Sequence, residues 1–120
     1  MAEYYDRDGK PLTYAEYRVL ILKLHDEKSW NAYKRVAVDT VTDINGIQAR
    51  ISTVWLGLDH SFSFLSRPTK PLIFETMVFG GEWDAYCDRY SIWSQAVAGH
   101  DQLVERVKHE HAPYSETYAE

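Results

Sequence analysis

Residues 35–55 read RVAVDTVTDINGIQARISTVW, and the fold of this chain turns on them. From Arg35 onward apolar and polar residues alternate with the period of two that sends successive side chains to opposite faces of a strand. Asn45-Gly46 interrupts the alternation. Both residues tolerate the positive φ that a type I′ turn needs at its two central positions, so the segment predicts a β-hairpin. A two-residue turn sets Ile44 against Ile47, Thr42 against Ala49, Thr40 against Ile51, Val38 against Thr53 and Val36 against Trp55. That register predicts one largely apolar face. The opposite face, carrying Asp39, Asp43, Gln48 and Arg50, is expected to be at least partly wet.

Downstream, the second strand is expected to continue to about Asp59. The stretch PLIFETMVFGG predicts a third strand from Pro71 to about Gly80, closed by a glycine pair. Residues 82–90, EWDAYCDRY, predict an edge strand. Ser91 is expected to cap the last helix, on which Trp93, Ala96, Val97, His100, Leu103, Val104 and Val107 form one stripe directed at the sheet. From Ala112 onward, Pro113 and the loss of any apolar period predict a mobile tail (112–120) unless a partner chain captures it.

Upstream, Asp8-Gly9 and Pro11 predict a turn beside a short strand or extended arm. Thr13 and Glu16 form a capping box, starting a helix that runs to about His25 and buries Tyr17, Leu20, Ile21 and Leu24. Asp26 to Lys34 predicts a loop with a short helix capped by Ser29. The expectation is one α+β domain over residues 1–120: an antiparallel β-sheet with an N-terminal helix and a C-terminal helix packed on it. A chain of 120 residues supports one core.

The formal charge of −5 excludes a general DNA or RNA coat, which needs a basic surface to displace counterions. A small anion needs only two or three local cations and stays compatible with that total. With Cys87 alone, no intramolecular disulfide can form, as suits a reducing compartment. Neither a signal sequence nor 18 consecutive apolar residues is present, so secretion and membrane spanning are not expected.

Four groups of residues bear on chemistry. Asp59, His60 and Glu75 can be read as an acid–base set or as structural and ligand-contacting residues, and the second reading is preferred. His109 and His111 read either as an incomplete zinc site or, preferably, as the cationic end of a helix. With no glycine-rich phosphate loop, phosphate contacts fall to Arg67, Lys70, Arg89, Arg106 and Lys108. Seventeen aromatic residues exceed what so small a core requires. Phe62 and Phe64 sit in a connecting loop, and Phe74 and Phe79 lie on opposite faces of one strand. Such rings stack on a purine, fold back over the sheet, or meet a second subunit.

Three blocks, STVWLGLDHSF at 52–62, PLIFETMVFGG at 71–81 and RYSIWSQAVAGH at 89–100, resemble a family of small bacteriophage and prophage proteins, as does the opening YYDRDGKPLT. Within it the chain is similar to the Thoeris anti-defence sponges of the first type. The resemblance implies a non-enzymatic protein in the host bacterial cytoplasm, with no cofactor or metal. It implies sequestration of cyclic ADP-ribose isomers at a homodimer interface, with further assembly into hexamers (trimers of dimers) that also hold CBASS cyclic oligonucleotides in some members. The ligand-contacting positions it implies are Phe79 and Ser91, where the family pattern has Asn at the latter and an acidic residue at Ser94. Together with the residue chemistry above, the candidate ligand set is Phe62, Arg67, Phe74, Phe79, Arg89, Ser91 and Arg106. The alternatives are a phage structural or protein-interaction role, or a signal-degrading enzyme built on Asp59, His60 and Glu75.

Overall fold

In the computed structural model, which describes residues 3–24, 26–59 and 70–113, the elements run β1 (Tyr4–Tyr5), β2 (Pro11–Leu12), α1 (Tyr14–Lys23), α2 (Glu27–Lys34), β3 (Arg35–Thr42), β4 (Gln48–Trp55), β5 (Phe74–Phe79), β6 (Cys87–Tyr90) and α3 (Trp93–His109). β1 and β2 form a small hairpin, and β3-β4-β5-β6 form an antiparallel meander. α3 lies across one face of the meander. The architecture is α+β, with the C-terminal helix packed on a four-stranded sheet. α1 packs instead against β1 and β2.

The hairpin forms with a register one residue away from that expected. Asp43 N–H donates to Ile47 O at 2.8 Å and Gly46 N–H donates to Asp43 O at 3.0 Å, so Ile44, Asn45 and Gly46 all belong to the turn. Gly46 takes a φ of 81° and Asn45 does not enter the positive region. This is a three-residue connection with glycine in the left-handed position, not a type I′ turn. The cause is the Asp43 side chain, which accepts from the N–H groups of Asn45 and Ile47, each at 2.9 Å, and of Glu82 at 3.0 Å.

A one-residue slip exchanges the faces of a strand. β3 therefore turns Ala37, Asp39 and Val41 towards α3, opposite Thr53, Ile51 and Ala49. Val38, Thr40 and Thr42 point the other way, with Ser52, Arg50 and Gln48. The expected apolar face is correct for β4 and inverted for β3. An irregularity between Arg35 and Ala37 lets Val36 still reach the core.

Between sheet and α3 lie two apolar clusters. One gathers Ala49, Ile51, Val78, Trp83, Leu103, Val107 and Ala112; the other gathers Tyr5, Trp55, Ile73, Phe74 and Ala96. A polar layer separates them. His100, Thr53 and Thr76 are fully buried, with His100 Nδ1 and Thr53 Oγ1 2.7 Å apart and His100 Nε2 2.7 Å from Asp39 Oδ2. Thr53 Oγ1 also bonds Thr76 Oγ1. With a neutral ring whose Nε2–H donates to the Asp39 carboxylate, Nδ1 must accept. Thr53 then donates to Nδ1 and Thr76 donates to Thr53, a chain running in one direction. Gly99 makes room for the neighbouring Tyr90 ring, which a Cβ at position 99 would meet at 2.4 Å.

Several boundaries differ from expectation. β4 ends at Trp55: Leu56 N–H still donates to Ile73 O in the β4–β5 register, but Gly57 at positive φ then turns the chain away. β5 begins at Phe74, not Pro71. Residues 82–85 form a turn with Ala85 at a φ of 70°, so only Cys87–Tyr90 pair as the edge strand. Asp26, not Ser29, caps α2 by accepting Ser29 N–H at 2.7 Å. The N-cap of α3 is Ile92, without a side-chain bond, and Ser91 N–H faces Gln95 Oε1 at 3.4 Å. Ala112 is buried and donates to Glu82 Oε2 at 2.8 Å, so the chain is docked at the point where a mobile tail was expected to begin. Residues 114–120 lie outside those described.

Thr53→Val keeps the shape of the side chain and removes the shared partner of His100 and Thr76. Urea unfolding should show a loss of about 2–4 kcal/mol, whereas Ser52→Ala on the other face should stay within about 0.5 kcal/mol. Asp43 gives a second test. The N–H groups of Glu82, Ile47 and Asn45, in that order, hold its carboxyl below the ordinary value. Its stabilisation is therefore complete above the unfolded-state value and is lost as pH falls through the lower folded one. The wild type should lose stability on acidification more steeply than Asp43→Asn, as read by melting temperature across that window.

Candidate functional site

The described helices leave the face of the sheet opposite α3 uncovered. Strand alternation places Val38, Thr40 and Thr42 of β3 there, with Arg50, Ser52 and Val54 of β4, Glu75, Met77 and Phe79 of β5, and Cys87 and Arg89 of β6. This face has two ends of opposite character. At one, Arg50 is exposed and its Cζ lies 5.4 Å from the centroid of Phe79, itself 45% exposed. The antiparallel pairing of Arg50 with Phe79 puts the guanidinium against the ring, and Thr40 flanks Arg50 on the other side. No carboxylate pairs with Arg50 among the described residues.

At the other end the charges are already matched. Arg89 Nε donates to Glu75 Oε2 at 3.1 Å, and Cys87 Sγ–H donates to the same oxygen at 3.3 Å. Burial first, and then donation to the Glu75 carboxylate, pushes the Cys87 thiol up to about 11. It is a silent thiol, not a nucleophile.

The remaining expected residues are dispersed. Phe74 is fully buried beneath α3, with its ring 6.0 Å from that of Trp93, so it contributes to the core. Ser91 is half-buried between β6 and α3. Arg106 lies on α3, its Cζ 5.0 Å from the Trp83 ring and its Nε 3.6 Å from Glu110 Oε1. Phe62, Phe64 and Arg67, together with His60, lie outside the described residues. Of the candidate ligand set, the uncovered face brings together Phe79 and Arg89, at opposite ends.

Asp59 Oδ1 accepts Leu72 N–H at 3.0 Å and Glu75 serves Arg89 and Cys87, so both carboxylates are tied into the scaffold. His109 pairs with Glu105 and His111 with Glu82, and no group of three metal-ligating side chains occurs among the described residues. Glu82 receives His111 Nδ1, Ala112 N–H and Asn45 Nδ2–H, which ties the hairpin turn to the end of α3. A cavity of about 400 Å³ lies between the small hairpin and α1, lined by Glu3, Tyr4, Pro11, Leu12, Thr13, Tyr14 and Glu16. Its ionisable lining is acidic, so it disfavours an anion.

Sequence reasoning placed Arg50 on the wet face but not beside Phe79. The partner of Arg50 depends on the β4–β5 register, and the long connection between those strands carries no turn signal that fixes it. Arg7 was missed altogether: its guanidinium lies 4.5 Å from the Tyr33 centroid and 5.4 Å from that of Trp93, and it donates to Tyr33 O at 3.2 Å. That residue is already engaged in joining the small hairpin to α2 and α3.

No protein-family model matches the chain, and no curated protein or solved structure matches it. No helix among the described residues is long and apolar enough to cross a membrane.

Iodoacetamide at about pH 8 should modify Cys87 roughly 30–100-fold more slowly in the folded protein than in urea, since about two units of pKa separate the thiolate populations. Equal rates would place the thiol outside its bond to Glu75.

Proposed function

We propose that this chain is a non-enzymatic binding protein that sequesters a small anionic cyclic nucleotide, a cyclic ADP-ribose isomer or a CBASS cyclic oligonucleotide, as a phage-encoded anti-defence sponge acting in the host cytoplasm as a homo-oligomer. The observation that carries this reading is Arg50 stacked on Phe79 on the sheet face that the described helices leave uncovered, with no carboxylate pairing with it among the described residues. A guanidinium fork suits phosphate oxygens, and an exposed ring offers a stacking surface for a base. Thr40 adds a hydroxyl beside the guanidinium.

Sequestration requires slow dissociation and needs neither a nucleophile nor a metal. The scaffold roles of Asp59 and Glu75 favour this reading over a hydrolase, because both carboxylates already serve protein donors. An acidic chain suits a small anion better than a polynucleotide.

The test is to incubate the purified protein with cyclic ADP-ribose isomers, filter, and heat the retained protein. Intact nucleotide released on heating supports the reading. Nucleotide that passes the filter unretained sinks it, and chemically altered nucleotide transfers the case to the enzyme reading. Arg50→Ala and Phe79→Ala should each weaken binding by about 1–3 kcal/mol, or roughly 5- to 150-fold in Kd, while leaving the far-UV spectrum unchanged.

A further inference from the structure

The meander has two edges, and they differ. β6 is four residues long and carries Asp88 and Arg89, the short and charged design that discourages pairing. β3 is eight residues long, RVAVDTVT, with five β-branched residues and neither proline nor lysine. Val38, Asp39, Thr40 and Thr42 are all exposed. The Asp43–Ile47 bond fixes which backbone groups face β4: by alternation they are those of Val41, Asp39 and Ala37. The N–H and C=O of Val38, Thr40 and Thr42 therefore point out of the sheet. The one charge directed to the α3 side, Asp39, is bound by His100.

We infer that β3 pairs antiparallel with β3 of a second copy of this chain, joining two meanders into one eight-stranded sheet. The register follows from charge and from the outward groups. Pairing Val38 with Thr40 of the partner subunit would set the two Asp39 carboxylates directly opposite, which like charges disfavour. Centring the two-fold on Thr40 avoids this and uses all three outward pairs: Val38 with Thr42, Thr40 with itself, and Thr42 with Val38. Asp39 then faces the apolar Val41 position. The two uncovered faces become continuous. Because Thr40 is the β3 neighbour of Arg50, the two Arg50 positions stand three strand spacings apart, about 14 Å. Each Arg50–Phe79 pair thus faces the other across the two-fold, so an anion with two phosphates can meet both.

This inference rests on the homo-oligomer part of the proposed function and not on its ligand. Thr40→Pro removes an outward N–H without touching a bond to β4, so it should fold and run as a monomer in light scattering after gel filtration, where the wild type runs at twice 14.0 kDa or a multiple of that. Val38→Lys blunts the same edge by charge and decides the matter where Thr40→Pro fails to fold. Thr40→Cys in a Cys87→Ser background should oxidise to a disulfide-linked dimer. A wild type that stays monomeric at its highest soluble concentration overturns the pairing, as does a folded edge variant that keeps the wild-type mass. Nucleotide retention by a monomeric wild type leaves the ligand reading standing and removes this one. A wild-type dimer that retains no nucleotide and is abolished by Thr40→Pro does the reverse.

Discussion

The ring of His100 is the point on which the rest of the structure depends. Held between Thr53 and Asp39, it presents two nitrogens that must both be matched, because nothing else in a fully buried position can hydrate them. The match is available only if Asp39 lies on the α3 side of β3. The polar layer and the Asp43 turn therefore require the same register by separate routes. They also fix α3 in rotation and translation, since a slide of one residue would carry His100 away from both partners. Apolar clusters on either side supply the bulk of the burial without specifying such an alignment.

Fixing α3 on one face determines what the other face offers. On that face Arg89 is already bound by Glu75. Arg50 keeps only an aromatic neighbour, and a ring satisfies a guanidinium in part while leaving its N–H donors directed at solvent. Local charge at one position, not the charge of the chain, thus defines the electrostatics of the face. The nearby Thr40 and Phe79 give that position a polar and an apolar side.

Much of the fold was legible in the sequence because it is written in local chemistry. The Thr13–Glu16 capping box appears as expected, with Glu16 N–H to Thr13 Oγ1 at 3.1 Å and Thr13 N–H to Glu16 Oε1 at 2.9 Å, as does the centre of the sheet-facing stripe of α3, where Ala96, His100, Leu103 and Val107 are buried while Trp93 and Val97 stay exposed. The hairpin was legible in kind but not in register. Asn-Gly signals a turn of either length, and the choice was made by Asp43 reaching Glu82, a contact 39 residues away in sequence. The candidate site was less legible for the same reason. Arg50 and Phe79 are joined only by strand pairing, and His100 reads as one more member of an amphipathic stripe until its partners on two other strands are seen.

The N-terminal elements stand apart from this arrangement in one respect. Neither α1 nor α2 contains a buried residue, and α1 leaves Tyr14, Val19 and Leu22 mostly in solvent. Tyr17, Leu20, Trp30 and Tyr33 are half-buried at the margin of the cluster around Trp55 and Phe74. Everything that aligns β3, β4, β5 and α3 lies beyond them. The α1–α2 segment is thus able to open at a free energy below that of global unfolding, whereas Tyr5 ahead of it belongs to the core. Its amides should exchange with solvent in an event that leaves the sheet, the polar layer and α3 closed.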